Sequence, residues 1–248
     1  MGSECGPLPR RHCGKGQRRS RALSIDPFSV LTVDSHSPRR SPAPVRHPAG
    51  FIEPCLPTLG QTVPSGPQWV HEIKHDGYRF ICRVEGNRIR VFSRRGNDYT
   101  DRVPRIVDTL ARLPASSVTL DGEGVACDPN GVADFELLRA ALGRPAKREV
   151  FLYAFDLLEL DGRDMRREPW SDRRRKLALL LRGAGHGVQL SDHMEGNDGE
   201  AAFRHACAMG LEGIVAKRRD RPYRSGRSPD WIKVKNPDAP AATRLIEG

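Results

Sequence analysis

The sequence predicts an α+β domain of antiparallel sheets flanked by helices, and three observations predict it. Short runs with alternating strand-type patterning recur from about residue 51 onward. Between them lie stretches whose apolar residues fall at helical spacing. The strands join through hairpins as well as through helices, without the strict βαβ alternation of a doubly wound parallel sheet.

The elements follow in order. YRFICRVEGNRIRVFSRRG holds two alternating runs around Gly86-Asn87, a hairpin signal. DRVPRIVDTLARL repeats at helical spacing, with Pro104 tolerable in the first turn. A strand in SVTLDGEGVACD, a short helix in DFELLRAAL and a buried strand in EVFLYAFDLLEL come next. Ser171 is positioned to cap a helix through SDRRRKLALLLR. VQLSDHM reads as one strand, DGEAAFRHACAMG as a helix ending at Gly210, and GIVAKRR and DWIKVKN as strands. The segment before residue 51, rich in Pro, Ser and Arg, has no sustained period and cannot offset its ordering entropy. It reads as a disordered basic tail, with an Arg/Ser bias that also resembles an organellar transit peptide.

Composition bounds the function classes. A hydrophobic fraction of 38% and a charged fraction of 29% fit a globular protein. No apolar run approaches the roughly 20 residues that span a bilayer. The six cysteines are scattered without a CxxC pair, which reads as reduced thiols in a cytoplasmic protein. The net charge of +10 makes a polyanion a plausible partner. Nine Arg/Lys against three Asp/Glu in residues 1–50 account for most of it, so the folded part is only mildly basic.

Five polar clusters interrupt the core-like runs: Lys74-His75-Asp76-Gly77-Tyr78-Arg79, Ser93-Arg94-Arg95-Gly96, Asp121-Gly122-Glu123-Gly124, Glu212 to Lys217, and Lys233-Val234-Lys235. Singly, each has a plain structural explanation: paired lysines on an edge strand prevent aggregation, and a DGE stretch is often a turn. Together they specify a chemistry. A lysine amine attacks only when neutral, and a pKa of roughly 10.4 leaves about one in a thousand unprotonated near neutrality. Further cations, among them Arg79 and the same-face pair Lys233 and Lys235, would disfavour protonated Lys74 and neutralise a phosphate leaving group. Glu123 and Glu212 are two carboxylates suited to a hard divalent ion, Mg2+ or Mn2+. Glycines beside Lys74, Glu123 and Glu212 would admit a bulky ligand close to the backbone. The reaction supported is attack of Lys74 on the α-phosphate of a nucleoside triphosphate, leaving a lysyl-nucleotide phosphoramidate.

EIKHDGYR resembles the KxDGxR nucleophile motif of the covalent nucleotidyltransferases, the superfamily of ATP-dependent DNA ligases, RNA ligases and mRNA capping enzymes. KHDGYR, SRRG, LDGEGV, YAFDLLELDG, EGIVAKR and WIKVK appear in that family's order over about residues 51–240. The wording EGIVAKR…YRSGRSPDWIKVK is most similar to bacterial ATP-dependent ligases of Ku-associated end joining. The resemblance implies a nucleotidyltransferase fold of the ATP-grasp-like ligase adenylation type, with Lys74 as the AMP acceptor. It implies Glu72 beside the adenine, Arg79 and Arg94 on ribose or phosphates, and Glu123 on the ribose hydroxyls or a metal. It implies Phe155 stacked on the purine, Glu212 at metal or nucleotide, and Lys233 and Lys235 on the α-phosphate. Asp76 would orient the lysine loop, while Lys217 and Trp231 suit structural roles.

The expected organisation is a tail over 1–50, an adenylation domain over 51–240 and a short tail over 241–248. NPDAPAATRLIEG is too short for the OB-fold barrel that usually follows in such ligases. The implied function is ATP-dependent transfer of AMP to a DNA 5′-phosphate for nick or end joining. The implied partners are nicked or broken duplex DNA and Ku or a trans-acting OB-fold protein, at the bacterial nucleoid. Two other readings stand beside it: an RNA ligase or GMP-transferring capping relative, and a non-catalytic DNA- or partner-binding module that retains the pocket.

Overall fold

Two sheets form because the chain crosses between them only twice and otherwise pairs its strands within one sheet. The computed structural model describes residues 48–143 and 149–239. The tail assigned to 1–50 therefore lies almost wholly, and that assigned to 241–248 wholly, outside the described residues.

In chain order the elements are β1 (Cys55–Leu59), β2 (Trp69–Ile73), β3 (Tyr78–Glu85), β4 (Arg88–Ser93), α1 (Pro104–Leu110), β5 (Ser117–Val125), α2 (Phe135–Gly143), β6 (Phe151–Leu160), β7 (Arg163–Asp164), α3 (Trp170–Leu180), β8 (Val188–Leu190), β9 (His193–Glu195), α4 (Gly199–Ala208), β10 (Gly213–Arg218) and β11 (Gly226–Lys235). One sheet runs β1-β11-β10-β2-β9. The other runs β4-β3-β5-β6-β7, with β8 added to β6. The chain crosses between sheets at Lys74–Gly77, between β2 and β3, and again at Ser191–Asp192, between β8 and β9.

Alternation assigns each sheet two faces. In the second sheet Phe80, Cys82, Val84, Val118, Leu120, Leu152 and Leu157 face a core closed by Ile106, Leu110, Leu138 and Leu177 from α1, α2 and α3. Burying each such Leu or Ile contributes about 1.5–3 kcal/mol relative to exposure. In the first sheet Ile73, Ile214, Ile232 and Val234 pack beneath α4 on Ala206 and Phe203. The opposite faces of the two sheets meet around Ile81, Phe155, Tyr223 and Trp231.

The structure departs from the sequence reading at several points. Two pairings are parallel, β1 with β11 and β6 with β8, so the sheets are mixed although predominantly antiparallel. VQLSDHM is two strands, because Ser191 N–H donates to Ala154 O and ends the β6 pairing before the chain enters the first sheet. Ser171 does not cap α3: the helix starts one residue earlier, Pro169 holds the cap position, and Ser171 N–H bonds Arg219 O.

Candidate active site

The register of the first sheet puts a row of charged side chains on the face opposite α4. On β2, Glu72 alternates with the α4-facing Ile73, and Lys74 follows immediately. Val215 lies opposite Glu72 and Lys233, and Lys217 lies opposite Val70 and Trp231. Trp231, Lys233 and Lys235 share one face of β11, as their spacing requires. Across the cleft, Arg79 pairs with Glu123, and Glu123 with Tyr153. A cleft between the sheets thus carries the nucleophile candidate at the crossover out of β2.

Its open end holds the phosphate-suited groups. Lys74 Nζ donates to Glu212 Oε2 at 2.5 Å, and Lys235 Nζ lies 3.9 Å from Glu212 Oε1. Burial, with Lys74 and Lys235 nearby, pushes the Lys233 amine below its usual value. Burial also lifts the Glu123 carboxyl to about 7, against the pull of Lys74 and Arg79 and helped by Glu212 and Asp121. Lys74, Glu123, Glu212, Lys233 and Lys235 therefore share one electrostatic environment.

The deep end holds a second lysine–glutamate pair. Lys217 Nζ donates to Glu72 Oε2 at 2.7 Å with both side chains buried. Burial raises the carboxyl and lowers the amine, each against the attraction of its partner.

Arg79 is more committed than its motif suggests. Its Nε and Nη2 donate to the two oxygens of Asp121 at 2.5 and 2.7 Å, and Nη2 also to Cys55 O at 3.1 Å. Tyr223 Oη donates to the same carboxylate at 2.5 Å and accepts from Cys55 N–H at 2.7 Å. Only Nη1 is left to meet a ligand. Phe155 is 7% exposed, edge-on to Trp231, with Arg79 and Lys217 4.4 and 4.3 Å from its ring centre. It is a core residue, packed where the inner faces of the two sheets meet. Arg94 is exposed on the turn after β4 and is not joined to the cluster by any hydrogen bond or ion pair. Asp76 is half-buried in the crossover, and Trp231 is a buried core residue.

The glycines act differently from the expectation. A side chain at Gly77 would strike Gly124 O, and one at Gly213, whose φ is +131°, would strike Val234 O. These positions are glycine because neighbouring strands approach them, and a ligand is not needed to explain them. His75, neighbour of the nucleophile candidate, was not singled out by its sequence context. Its ring stacks on Tyr153 with centroids 4.1 Å apart, and burial with Lys74 nearby lowers its pKa to about 4.

Among the described residues no group of three or more His, Cys, Asp or Glu side chains is disposed to hold a metal. Glu123 and Glu212 fit the other mode, in which Mg2+ takes one or two carboxylates and completes its shell with water and substrate phosphate.

Comparison with known proteins agrees with this architecture. The family model described as ATP dependent DNA ligase domain matches residues 58–235. Among solved structures, mycobacterial DNA ligase D complexed with ATP and MES superposes with a TM-score of 0.63 at 35% identity, covering 73% of this chain and 59% of that one. The ligase domain from M. tuberculosis LigD gives 0.63 and 35%, covering 73% and 60%. Chlorella virus DNA ligase-adenylate, at 18% identity and a TM-score of 0.55, shares the fold. The two sheets and their cleft are thus the nucleotidyltransferase fold of ligase adenylation domains. The chain belongs to the ATP-dependent DNA ligase domain family. Its relatives include the multifunctional non-homologous end joining protein LigD of Pseudomonas aeruginosa, 34% identical over 227 residues that cover 86% of this chain and 27% of that protein. The LigD protein of Mycolicibacterium smegmatis is 38% identical over 184 residues, 73% of this chain and 23% of that protein. The chain thus spans about a quarter of the length of these relatives.

Proposed function

We propose that the chain is the adenylating part of an ATP-dependent end-joining DNA ligase, with Lys74 as the nucleophile. Lys74 Nζ attacks the α-phosphorus of ATP. The nitrogen–phosphorus bond forms as the bond to the bridging oxygen breaks, pyrophosphate leaves, and the amine gives up its proton. Glu212, 2.5 Å from Nζ, is an acceptor for that proton. Lys233 and Lys235 offset negative charge on the phosphate as it changes hands. Glu72 and Phe155 bound the base, while Glu123 and the free nitrogen of Arg79 meet ribose or phosphate. Mg2+, held by Glu123 and Glu212, would supply charge neutralisation at the triphosphate. The AMP then passes to the 5′-phosphate of nicked or broken duplex DNA, whose 3′-hydroxyl displaces it.

The observation that carries this reading is the convergence of Lys74, Glu212 and Lys235 at one end of a row of charged side chains whose other end, Lys217 and Glu72, is buried. No helix among the described residues is long and apolar enough to cross a membrane; on the end-joining reading the chain acts at the nucleoid. On this end-joining reading, Ku is the partner class that would bring broken duplex ends to the site.

Incubation with labelled ATP or GTP, with and without nicked DNA, tests the proposal. Label from ATP that is discharged by DNA is the expected result. Label from GTP, discharge by RNA alone, or no label would each contradict it.

A further inference from the structure

Four residues close a hydrogen-bonded ring between the two sheets. Cys55 N–H, at the start of β1, donates to Tyr223 Oη at 2.7 Å. That hydroxyl donates in turn to Asp121 Oδ2 on β5 at 2.5 Å. The same oxygen accepts from Arg79 Nη2 on β3 at 2.7 Å, and Nη2 returns to Cys55 O at 3.1 Å. Cys55 belongs to the first sheet, Arg79 and Asp121 to the second, and Tyr223 to the connection between β10 and β11. Cys55, Asp121 and Tyr223 are 1%, 0% and 5% exposed, so the ring is shut off from solvent. Burial, with the Asp121 carboxylate beside it, holds the phenol well above its usual value, so the hydroxyl keeps its proton to donate.

Packing accounts for the aromatic ring of Tyr223, which lies edge-on to Trp231 at 5.9 Å in the core between the sheets. It does not account for the hydroxyl, since a phenylalanine would fill the same space. A guanidinium is planar, so holding Nε and Nη2 fixes the direction of Nη1. Those two nitrogens grip Asp121, but the grip is only as fixed as the carboxylate itself. Tyr223 holds that carboxylate from the other sheet. β1 pairs with β11, where Leu59 lies opposite Lys233. The ring therefore sets Arg79 against the strand that carries Lys233 and Lys235.

We propose that Tyr223 is a positioning residue for the nucleotide: its hydroxyl ties Asp121, and through it Arg79, to the first sheet. Arg79 Nη1 then meets the nucleotide at a fixed distance from Lys233 and Lys235. This rests on the nucleotidyl-transfer reading given above and adds the group that directs one of its contacts. Coupling of this kind is reciprocal, so a ring that orients Arg79 for ATP is itself tightened when ATP binds.

The test is Tyr223→Phe in the whole chain, with thermal melting to verify folding and covalent labelling followed over a range of ATP concentrations. The variant should raise KM about tenfold, the lower end for a hydrogen bond to a charged group. Its kcat should be unchanged, the mark of binding lost equally from ground and transition states. In an Arg79→Lys background the same substitution should change KM by less than about twofold, because lysine cannot span Asp121 and Cys55 O together. A merely structural role would multiply the two effects. Should Tyr223→Phe not fold, wild type supplies a second measurement by hydrogen exchange. Binding of α,β-methylene ATP, which cannot transfer its nucleotide, should slow the Cys55 amide about tenfold more than the Leu138 amide on α2. An unchanged KM in the folded variant, effects that multiply, or equal slowing of the two amides would overturn the proposal. Absence of wild-type labelling by ATP would instead overturn the nucleotidyl-transfer reading. Dissociation constants from calorimetry, compared across the same variants, would then decide the role of Tyr223.

Discussion

The cleft contains two lysine–glutamate pairs of nearly the same length and opposite character. Lys217–Glu72 spans 2.7 Å with side chains 2% and 3% exposed, whereas Lys74–Glu212 spans 2.5 Å with side chains 22% and 9% exposed. Distance does not separate them. Burial does. The deep pair carries the desolvation cost of two charges and is repaid only while both partners are present. The outer pair keeps contact with water, so its lysine can exchange the carboxylate for a ligand without leaving a stranded charge. On the proposed reading, the same two residue types give a fixed strut at the base end and a reactive group at the phosphate end.

The comparison can be broken most severely at Lys74. Lys74→Ala should abolish covalent labelling by ATP while changing stability by less than about 1 kcal/mol, the usual limit for a partly exposed pair. A labelled variant, read by gel after acid quench, would move the nucleophile elsewhere. Lys235→Ala comes next and should slow labelling by about two to three orders of magnitude, the scale for losing one charge-stabilising donor at a reacting phosphate. Rates near wild type in single-turnover assays would remove β11 from the chemistry.

Lys217→Ala should behave in the opposite sense to Lys74→Ala. Leaving Glu72 buried and unpaired should cost about 3–5 kcal/mol of stability, seen as a lowered midpoint in urea. A variant as stable as wild type would show that the deep pair is no strut. Glu123→Gln gives the smallest effect, on pH dependence. The folded carboxyl sits at about 7, above its ordinary 4.5, so the folded state holds the extra proton between those values. Stability from this group is full below the unfolded pKa and falls as pH rises through about 7. Glu123→Gln should therefore flatten the decline in nucleotide-free stability over that window, and an unchanged pH profile would place the perturbation on another group.

Much of this arrangement was legible in the chain itself. Lys233 and Lys235 could be put on one face because strand periodicity is strict, and Lys74 could be put at a strand end because Asp76-Gly77 follows. The residues that occupy Arg79 were not legible. Asp121 is 42 positions from Arg79 and Tyr223 is 102 from Asp121, so only tertiary structure reveals that the guanidinium is mostly taken. The glycines misled for a related reason: close approach was the right inference, but the approaching group is a neighbouring strand. VQLSDHM carries a single apparent run because nothing in its pattern marks a change of sheet. Arg174 and Ser191 could not be read at all, since an arginine in RRRK and a serine in a strand look like surface residues until their burial is seen.

The most direct test is the intact mass of the purified chain before and after pyrophosphate. The account predicts a species heavier by one AMP that returns to the unmodified mass with pyrophosphate and is missing from Lys74→Ala. No adduct after exposure to ATP and Mg2+, or an adduct retained in Lys74→Ala, would contradict it.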